Sequence, residues 1–254
     1  VGFGAIAARL TDDPAMGRAF ACATHAQAIG QHPEFHLLGV VDTSQEALDF
    51  AQRRWGVPHV AETVEELLEV CDPEVAVLTI PTQLRPAVVD SLPSLRAVIA
   101  EKPIGDKAAY FLACCEQREI LVQVNYWRRA DATLRELANG GLRRRIGVVQ
   151  AAFATYGNGL QNNGGHLVDE IRLLLGEVES VQALGLGTEL ADAPIPGDRQ
   201  ISFALHLEGG HIVYVSSIEY SNYREIGLDI WGETGRIEVL QEGLAIYQTP
   251  TGPN

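Results

Sequence analysis

The sequence is short of positive charge. It sets 19 Lys and Arg against 33 Asp and Glu, a formal net charge of −14 over 254 residues. That balance excludes sequence-independent nucleic-acid binding, which needs a basic footprint. The clusters Arg53-Arg54, Arg128-Arg129 and Arg143-Arg144-Arg145 are too short and scattered to reverse it, and read as solvated faces or local anion contacts. Long apolar runs are missing as well. None approaches the roughly 20 residues of a membrane-spanning helix, so no membrane partner is expected, and no secretory leader is visible. Cysteine is sparse. Cys22, Cys71, Cys114 and Cys115 match no zinc pattern and no disulfide framework, and the adjacent pair cannot easily bridge on a helix. No metal site is expected, and the thiols suit a reducing, cytoplasmic setting. An initial methionine is also absent. Gly2 follows Val1 at once, so most of any strand leading into that glycine is expected upstream of residue 1.

What is present describes a globular protein: 46% apolar and 20% charged residues. A chain of this length accommodates two domains of roughly 100–150 residues. Two styles of sequence meet near residue 127. In residues 1–127 short apolar runs alternate with helical segments. Strands are predicted at 35–41, 75–80, 97–100 and 120–124. Thr43 with Glu46, and Thr63 with Glu66, read as capping boxes, Gly56 as a helix terminator, and Asp106 as the cap of a helix running through Cys114-Cys115. Strands alternating with helices mean crossover units and a parallel sheet. Residues 128–254 change character. A helix is predicted over 130–138, ended by Asn139-Gly140-Gly141, and another over 167–175, stopped by Gly176. Strands are predicted at 146–156, 180–186, 201–207, 211–219, 226–231 and 236–241, with tight turns between them, which indicates an open, mainly antiparallel sheet. The fold class is therefore α/β: a doubly wound parallel sheet followed by an α+β domain.

Three motifs carry chemistry. Gly2-Phe3-Gly4-Ala5-Ile6-Ala7 is a G-x-G-x-x-A pattern, in which glycines permit a tight turn and close backbone approach to a pyrophosphate at a helix start. Asp42, at the end of the second strand, is placed to accept both ribose hydroxyls of NAD. The spacing between them exceeds the usual ~20 residues, which fits a loop-like insertion around residues 11–18. Glu101-Lys102-Pro103 ends a predicted parallel strand, where such sheets bind ligands, and a desolvated lysine there can transfer protons. Asn162-Asn163-Gly164-Gly165-His166-Leu167-Val168-Asp169 puts His166 near a helix start, with Asp169 three residues on along the same face.

Together with Ile80-Pro81-Thr82 and Asn125-Tyr126-Trp127-Arg128-Arg129, these motifs, in this order, resemble the glucose–fructose oxidoreductase / inositol dehydrogenase / rhizopine-catabolism (Gfo/Idh/MocA) family over nearly the whole chain. The resemblance implies a Rossmann domain holding NAD or NADP and a C-terminal α/β domain that completes the substrate pocket. It maps the family's motif lysine onto Lys102 and its motif histidine onto His166. Gly2, Gly4, Ile6, Ala7, Asp42, Ile80, Pro81, Thr82, Glu101, Lys102 and Asn125 become candidates for the cofactor, and Asn162, Tyr126, Arg128 and Asp169 for the substrate. Three departures stand out. Asn162 replaces an aspartate that many members carry, and an amide cannot exchange protons. Arg85 replaces a histidine common after the Pro81-type loop. The chain stops at Asn254, where relatives usually continue for several tens of residues, so the second domain is expected to be incomplete.

The implied activity is hydride transfer between a nicotinamide, NAD rather than NADP, and a secondary alcohol or ketone of a sugar, cyclitol or related polyol. A homodimer or homotetramer is the implied assembly. Two other readings stay open: an NAD-dependent glycosidase, which would retain its cofactor and release a free sugar, and a non-catalytic dinucleotide-binding regulator, which would turn over no alcohol.

Overall fold

The computed structural model describes residues 1–252. The chain divides into two compact units, Val1–Asn125 and Tyr126–Asn254. Among the described residues no helix is long and apolar enough to cross a membrane.

In the first unit, β1 (Gly39–Val41) pairs in parallel with β2 (His59–Ala61). A second parallel ladder runs β3 (Val75–Leu78), β4 (Ala97–Ala100), β5 (Leu121–Val124). The first two residues join the ladders. Gly2 donates its N–H to Val41 O at 2.8 Å, Val1 N donates to Val77 O at 2.7 Å, and Thr79 N–H donates back to Val1 O at 3.0 Å. Taking this segment as the first strand, the order is the 3-2-1-4-5-6 of a doubly wound sheet. Helices α1 (Pro14–Ala19), α2 (His25–Gln31), α3 (Gln45–Trp55), α4 (Val64–Leu68), α5 (Arg85–Ser91) and α6 (Ala108–Gln117) fill the crossovers. An apolar cavity of about 470 Å³ lies beside residues 1–2, lined among others by Leu37, Leu38, Leu67, Val75 and Leu92.

Several sequence expectations need correction here. The strand expected at 35–41 forms only over Gly39–Val41, because residues 35–38 have no neighbouring strand to pair with. Helix α3 is capped by Ser44, whose hydroxyl accepts from Ala47 N–H, and not by a Thr43–Glu46 box. The Asp42 carboxylate takes the Ser44 N–H at 2.8 Å and turns the chain one residue later. The Thr63–Glu66 box is present with both bonds. Asp106 caps nothing: α6 starts at Ala108, after a turn at Gly105 (φ +80) pressed against Thr82. The loop expected at 11–18 contains a 3₁₀ turn, Arg9–Asp12, and then α1. Pro14 sits at the first helical position, where its missing N–H is harmless.

The second unit is built on a 7-stranded sheet of order β14-β13-β12-β6-β11-β10-β7. Its strands are β6 (Val149–Tyr156), β7 (Val178–Ala183), β10 (Phe203–Leu207), β11 (Ile212–Ser217), β12 (Ile226–Gly232), β13 (Gly235–Leu240) and β14 (Ala245–Pro250). All neighbours are antiparallel except β6 and β11 at the centre. The sequence reading passed over β14, and over the small ladder of β8 (Thr188–Glu189) with β9 (Arg199–Gln200). The helix expected at 130–138 is α7 (Ala132–Glu136), capped by Asp131. As expected, helical geometry breaks at Asn139 and at Gly140 (φ +87); the break lies in a wide turn, Leu137–Gly141, after which the chain resumes as α8 (Leu142–Ile146). Helix α9 (Gly165–Leu175) lays Leu167, Ile171 and Leu174 on one sheet face, against Ala152, Ala154, Leu205, Val213, Val215 and Ile230.

Candidate active site

The glycine turn of the first unit is fixed from both sides. At Gly2 (φ +80) a Cβ would lie 2.8 Å from Thr79 Oγ1, so only glycine serves. Phe3 N–H donates to Asp42 Oδ2 at 2.6 Å, which brings the motif and the acid that closes β1 together. At Gly4 a Cβ would meet nothing within 4 Å, so the missing side chain leaves the turn open to a ligand. The amides of Gly4, Ala5, Ile6 and Ala7 donate no backbone hydrogen bond among the described residues. A dinucleotide pyrophosphate fits such a turn. Ala7 is buried with Ala8, Ala26, Val40 and Leu48, as close packing of a small residue requires. The regular helix expected after the glycines is absent. Turns held by Ala8 N–H and Leu10 N–H to Gly4 O and Ala5 O lead into the 3₁₀ turn.

At the carboxyl ends of β3 and β4 two loops meet. Ile80-Pro81-Thr82 follows β3 and Glu101-Lys102-Pro103 follows β4. Arg85, 3% exposed, donates through Nε to Ile80 O at 3.2 Å and through Nη1 to Pro103 O at 3.1 Å. Burial lowers its pKa, against the pull of Glu101. The Glu101 carboxylate is held by His25 Nε2 at 2.7 Å and by Asn125 Nδ2 at 2.6 Å. Burial alone would raise its pKa, but those bonds, with the charges of His25 and Lys102, carry it below the ordinary value. His25 escaped the sequence reading. It lies 76 positions from Glu101, and nothing local marks it beyond its place at the start of α2 after the capping Thr24. Lys102 carries a signal that was legible and went unused: the chain has two lysines, Lys102 and Lys107, and otherwise only arginine as its strong cation.

In the second unit, the π turn Gly159–Gly164 leads straight into α9 and carries Asn162 just before His166. The Tyr126 ring meets the His166 imidazole edge-on, with centroids 5.5 Å apart. Burial, and next the Asp169 charge, push the Tyr126 phenol up. Asn162 Nδ2 donates to Asn158 O at 3.1 Å and to Asn163 Oδ1 at 3.2 Å. Two residues expected at the substrate have ion-pair partners within the second unit. Asp169 is taken by Arg129 Nε, at 2.8 and 2.9 Å to its two oxygens. Arg128 is 3% exposed, 3.3 Å from the buried Glu170 carboxylate, and donates to Glu242 O. Burial raises Glu170 to about 7 against the opposing charge of Arg128. These two pairs tie α9 to residues 126–130, and with it the Tyr126–His166 contact.

Residues 16–126 match the family model described as an oxidoreductase family with an NAD-binding Rossmann fold, GFO_IDH_MocA. Over those residues the first unit is similar to the Gfo/Idh/MocA oxidoreductase family. Solved structures extend the likeness into the second unit. The WlbA dehydrogenase from Bordetella pertussis, in complex with NADH and UDP-GlcNAcA, is 23% identical with a TM-score of 0.75 over 91% of this chain and 74% of its own. KijD10, a 3-ketoreductase from Actinomadura kijaniata, in complex with TDP-benzene and NADP, is 17% identical with a TM-score of 0.71 over 89% and 76%. An apo scyllo-inositol dehydrogenase from Lactobacillus casei is 19% identical with a TM-score of 0.66 over 85% and 70%. At these identities the likeness shows the Gfo/Idh/MocA fold, a Rossmann sheet and a mainly antiparallel second sheet. No curated protein matches the chain by sequence at a significant level.

Proposed function

We propose that this chain is an NAD-dependent dehydrogenase or reductase of the Gfo/Idh/MocA family acting on a CH–OH group of a sugar, cyclitol or related polyol. The observation that carries the reading is the first unit: an open glycine turn bonded to Asp42, in a domain matched to an NAD-binding oxidoreductase family. Gly2, Gly4, Ile6 and Ala7 would hold the pyrophosphate, Asp42 the ribose, and Ile80, Pro81 and Thr82 the nicotinamide side. Glu101 and Asn125 support that side through their mutual bond. A bound nicotinamide supplies the hydride donor or acceptor.

The chain's own task is then the proton of the hydroxyl. Lys102 takes it or returns it as general acid/base, His166 is its partner, and Asn162 binds a substrate hydroxyl. Tyr126 orients His166 through their ring contact. The Asp42 charge repels the 2′-phosphate of NADP, and Thr43 and Ser44 follow it with no arginine, which favours NAD. The two dehydrogenases named above, one in complex with a sugar nucleotide and one for scyllo-inositol, together with the 3-ketoreductase, support a polyhydroxylated substrate. We also propose a homodimer or homotetramer formed through the sheet of the second unit. The free thiols of the four cysteines suit a reducing compartment.

The test is a panel of polyols, sugars and sugar acids incubated with NAD and followed by NADH absorbance. Turnover on at least one class supports the reading. Binding of NAD with no turnover anywhere on the panel favours a regulator, and release of free sugar without net NADH favours a glycosidase.

A further inference from the structure

The small β8–β9 ladder lies outside every motif read from the sequence, yet it reaches the Asn162 turn. Asp198 immediately precedes β9 and is 1% exposed. Its Oδ1 accepts the N–H of Gln161 at 3.0 Å and of Arg199 at 2.7 Å, and its Oδ2 accepts the N–H of Asn162 at 3.0 Å. Its own backbone is fixed by Asp198 N–H to Ile195 O and Leu190 N–H to Asp198 O, each 3.1 Å. The fit is close: a Cβ on Gly159 (φ +93) would overlap Asp198 Oδ2. Three residues on, the Ile201 backbone grips the same turn from another side. Tyr156 O–H donates to Ile201 O at 2.7 Å and accepts from Ile201 N–H at 3.1 Å, and the Tyr156 ring lies 3.2 Å from where a Gly164 Cβ would stand. No Lys or Arg lies within ion-pair distance of Asp198 among the described residues. The carboxylate is therefore stabilised by N–H dipoles at the start of the helical run that continues into α9.

We propose that Asp198 is a positioning residue: it fixes the main chain at Asn162, and through that turn sets how Asn162 and His166 are presented to the substrate. The proposal rests on the reading above, in which Asn162 and His166 serve the reaction. Asp198→Asn is the discriminating variant, because it keeps the volume. With the amide oxygen placed at the doubly bonded position, its NH₂ faces the Asn162 N–H, and that single anchor is lost. Misplacement of this kind costs up to about 100-fold in rate. In the NAD-bound protein, Asp198→Asn is expected to speed amide hydrogen exchange in the segment 159–166 and to lower kcat/KM by about 10- to 100-fold. NAD affinity should stay within about twofold, since the turn belongs to the second unit. In an Asn162→Ala background the same change should cost less than in the wild type, because the part that acts through Asn162 is already gone and only the part that acts through His166 remains.

Full kcat/KM in Asp198→Asn, or a loss that adds fully to that of Asn162→Ala, overturns the proposal. If Asp198→Asn fails to fold, Asp198→Ser, which keeps a hydrogen-bond acceptor, is measured in the same way. If the wild-type protein turns over no substrate, the functional reading falls by itself. Exchange still decides the anchoring, and unchanged exchange in the variant overturns it.

Discussion

Lys102 is where residue chemistry and proposed function meet. A group that moves a proton on and off a hydroxyl must be able to lose its charge, and guanidinium cannot do so in a protein. A chain that uses Arg for 17 of its 19 strong cations keeps a lysine at this position. Lys102→Met retains most of the side-chain volume and removes the proton, so kcat should fall 10²–10⁴-fold, the usual contribution of a positioned acid–base group. Lys102→Arg keeps the charge and should fail similarly. NAD affinity, measured by fluorescence titration, should change little in both, and near-full turnover in either would remove Lys102 from the chemistry. Asp42→Ser should narrow the preference for NAD over NADP, and tighter NADP than NAD binding in the wild type would contradict the assignment. Glu170 gives a pH prediction. Burial raises its pKa in the folded protein to about 7, above the ordinary value of 4.5. Below 4.5 both folded and unfolded chains hold the proton and the associated stability is fully present. As pH rises towards 7 and beyond, the unfolded chain releases it first and that stability is lost. Each pH unit between the two values is worth about 1.4 kcal/mol. Wild type should therefore lose a few kcal/mol of stability relative to Glu170→Gln, on the order of 1.4 per unit, from pH 4.5 to 8. A difference that stays constant in denaturant titrations across that range would show an ordinary carboxyl.

Among the elements, the best-read features are those whose whole cause lies within a few residues. The Thr63–Glu66 capping box is complete in its four-residue motif and is present as drawn. Thr63→Ala should cost about 0.5–2 kcal/mol in denaturant titration, and less than about 0.2 would mean that the short helix α4 is held by packing alone. Gly56 and Gly176 end their helices with positive φ for the same local reason. Failures begin where a distant partner decides. Residues 35–38 are apolar enough for a strand but have no ladder to join. The Thr43–Glu46 pattern lost to an Asp42 carboxylate already fixed on Ser44 and on Phe3, 39 positions away. The helix that ends at Asn139-Gly140 is followed at once by α8, which the sequence reading passed over. The candidate site divides in the same way. Glycine turn, Lys102 and His166 stand out as motifs. That Arg128 pairs with Glu170 and Asp169 with Arg129 was not legible in the sequence, because those pairings depend on how α9 packs on residues 126–130. His25 and Asp198 act across 76 and 36 positions respectively, so no local pattern could announce them.

On the scale of the whole molecule, the second unit's sheet presents two unlike faces. One is closed by α9. On the other, residues brought into line by the strand register run Gln182, Ala204, Tyr214, Phe153, Asp229, Glu238, Tyr247 across the sheet. Phe153 and Tyr214 stack with centroids 6.2 Å apart, yet each is 48% exposed, and Trp231 and Tyr247 are 44% and 53% exposed. Arg236 lies over the Trp231 ring at 4.5 Å and pairs with Asp229 and Glu238. An aromatic and arginine patch with a polar surround is the composition of a protein interface, and an exposed apolar patch of this kind is uncommon on a monomer. A second copy brings another −14 of formal charge, so association must overcome like-charge repulsion that salt screens. Light scattering at micromolar protein should therefore give a dimer or tetramer mass, with association tighter at 0.5 M salt than at 0.05 M. Placing two carboxylates in the patch, Phe153→Asp with Tyr214→Asp, should yield monomers that still bind NAD with unchanged affinity. A wild-type monomer at both salt concentrations would rule out the sheet face as a self-association surface.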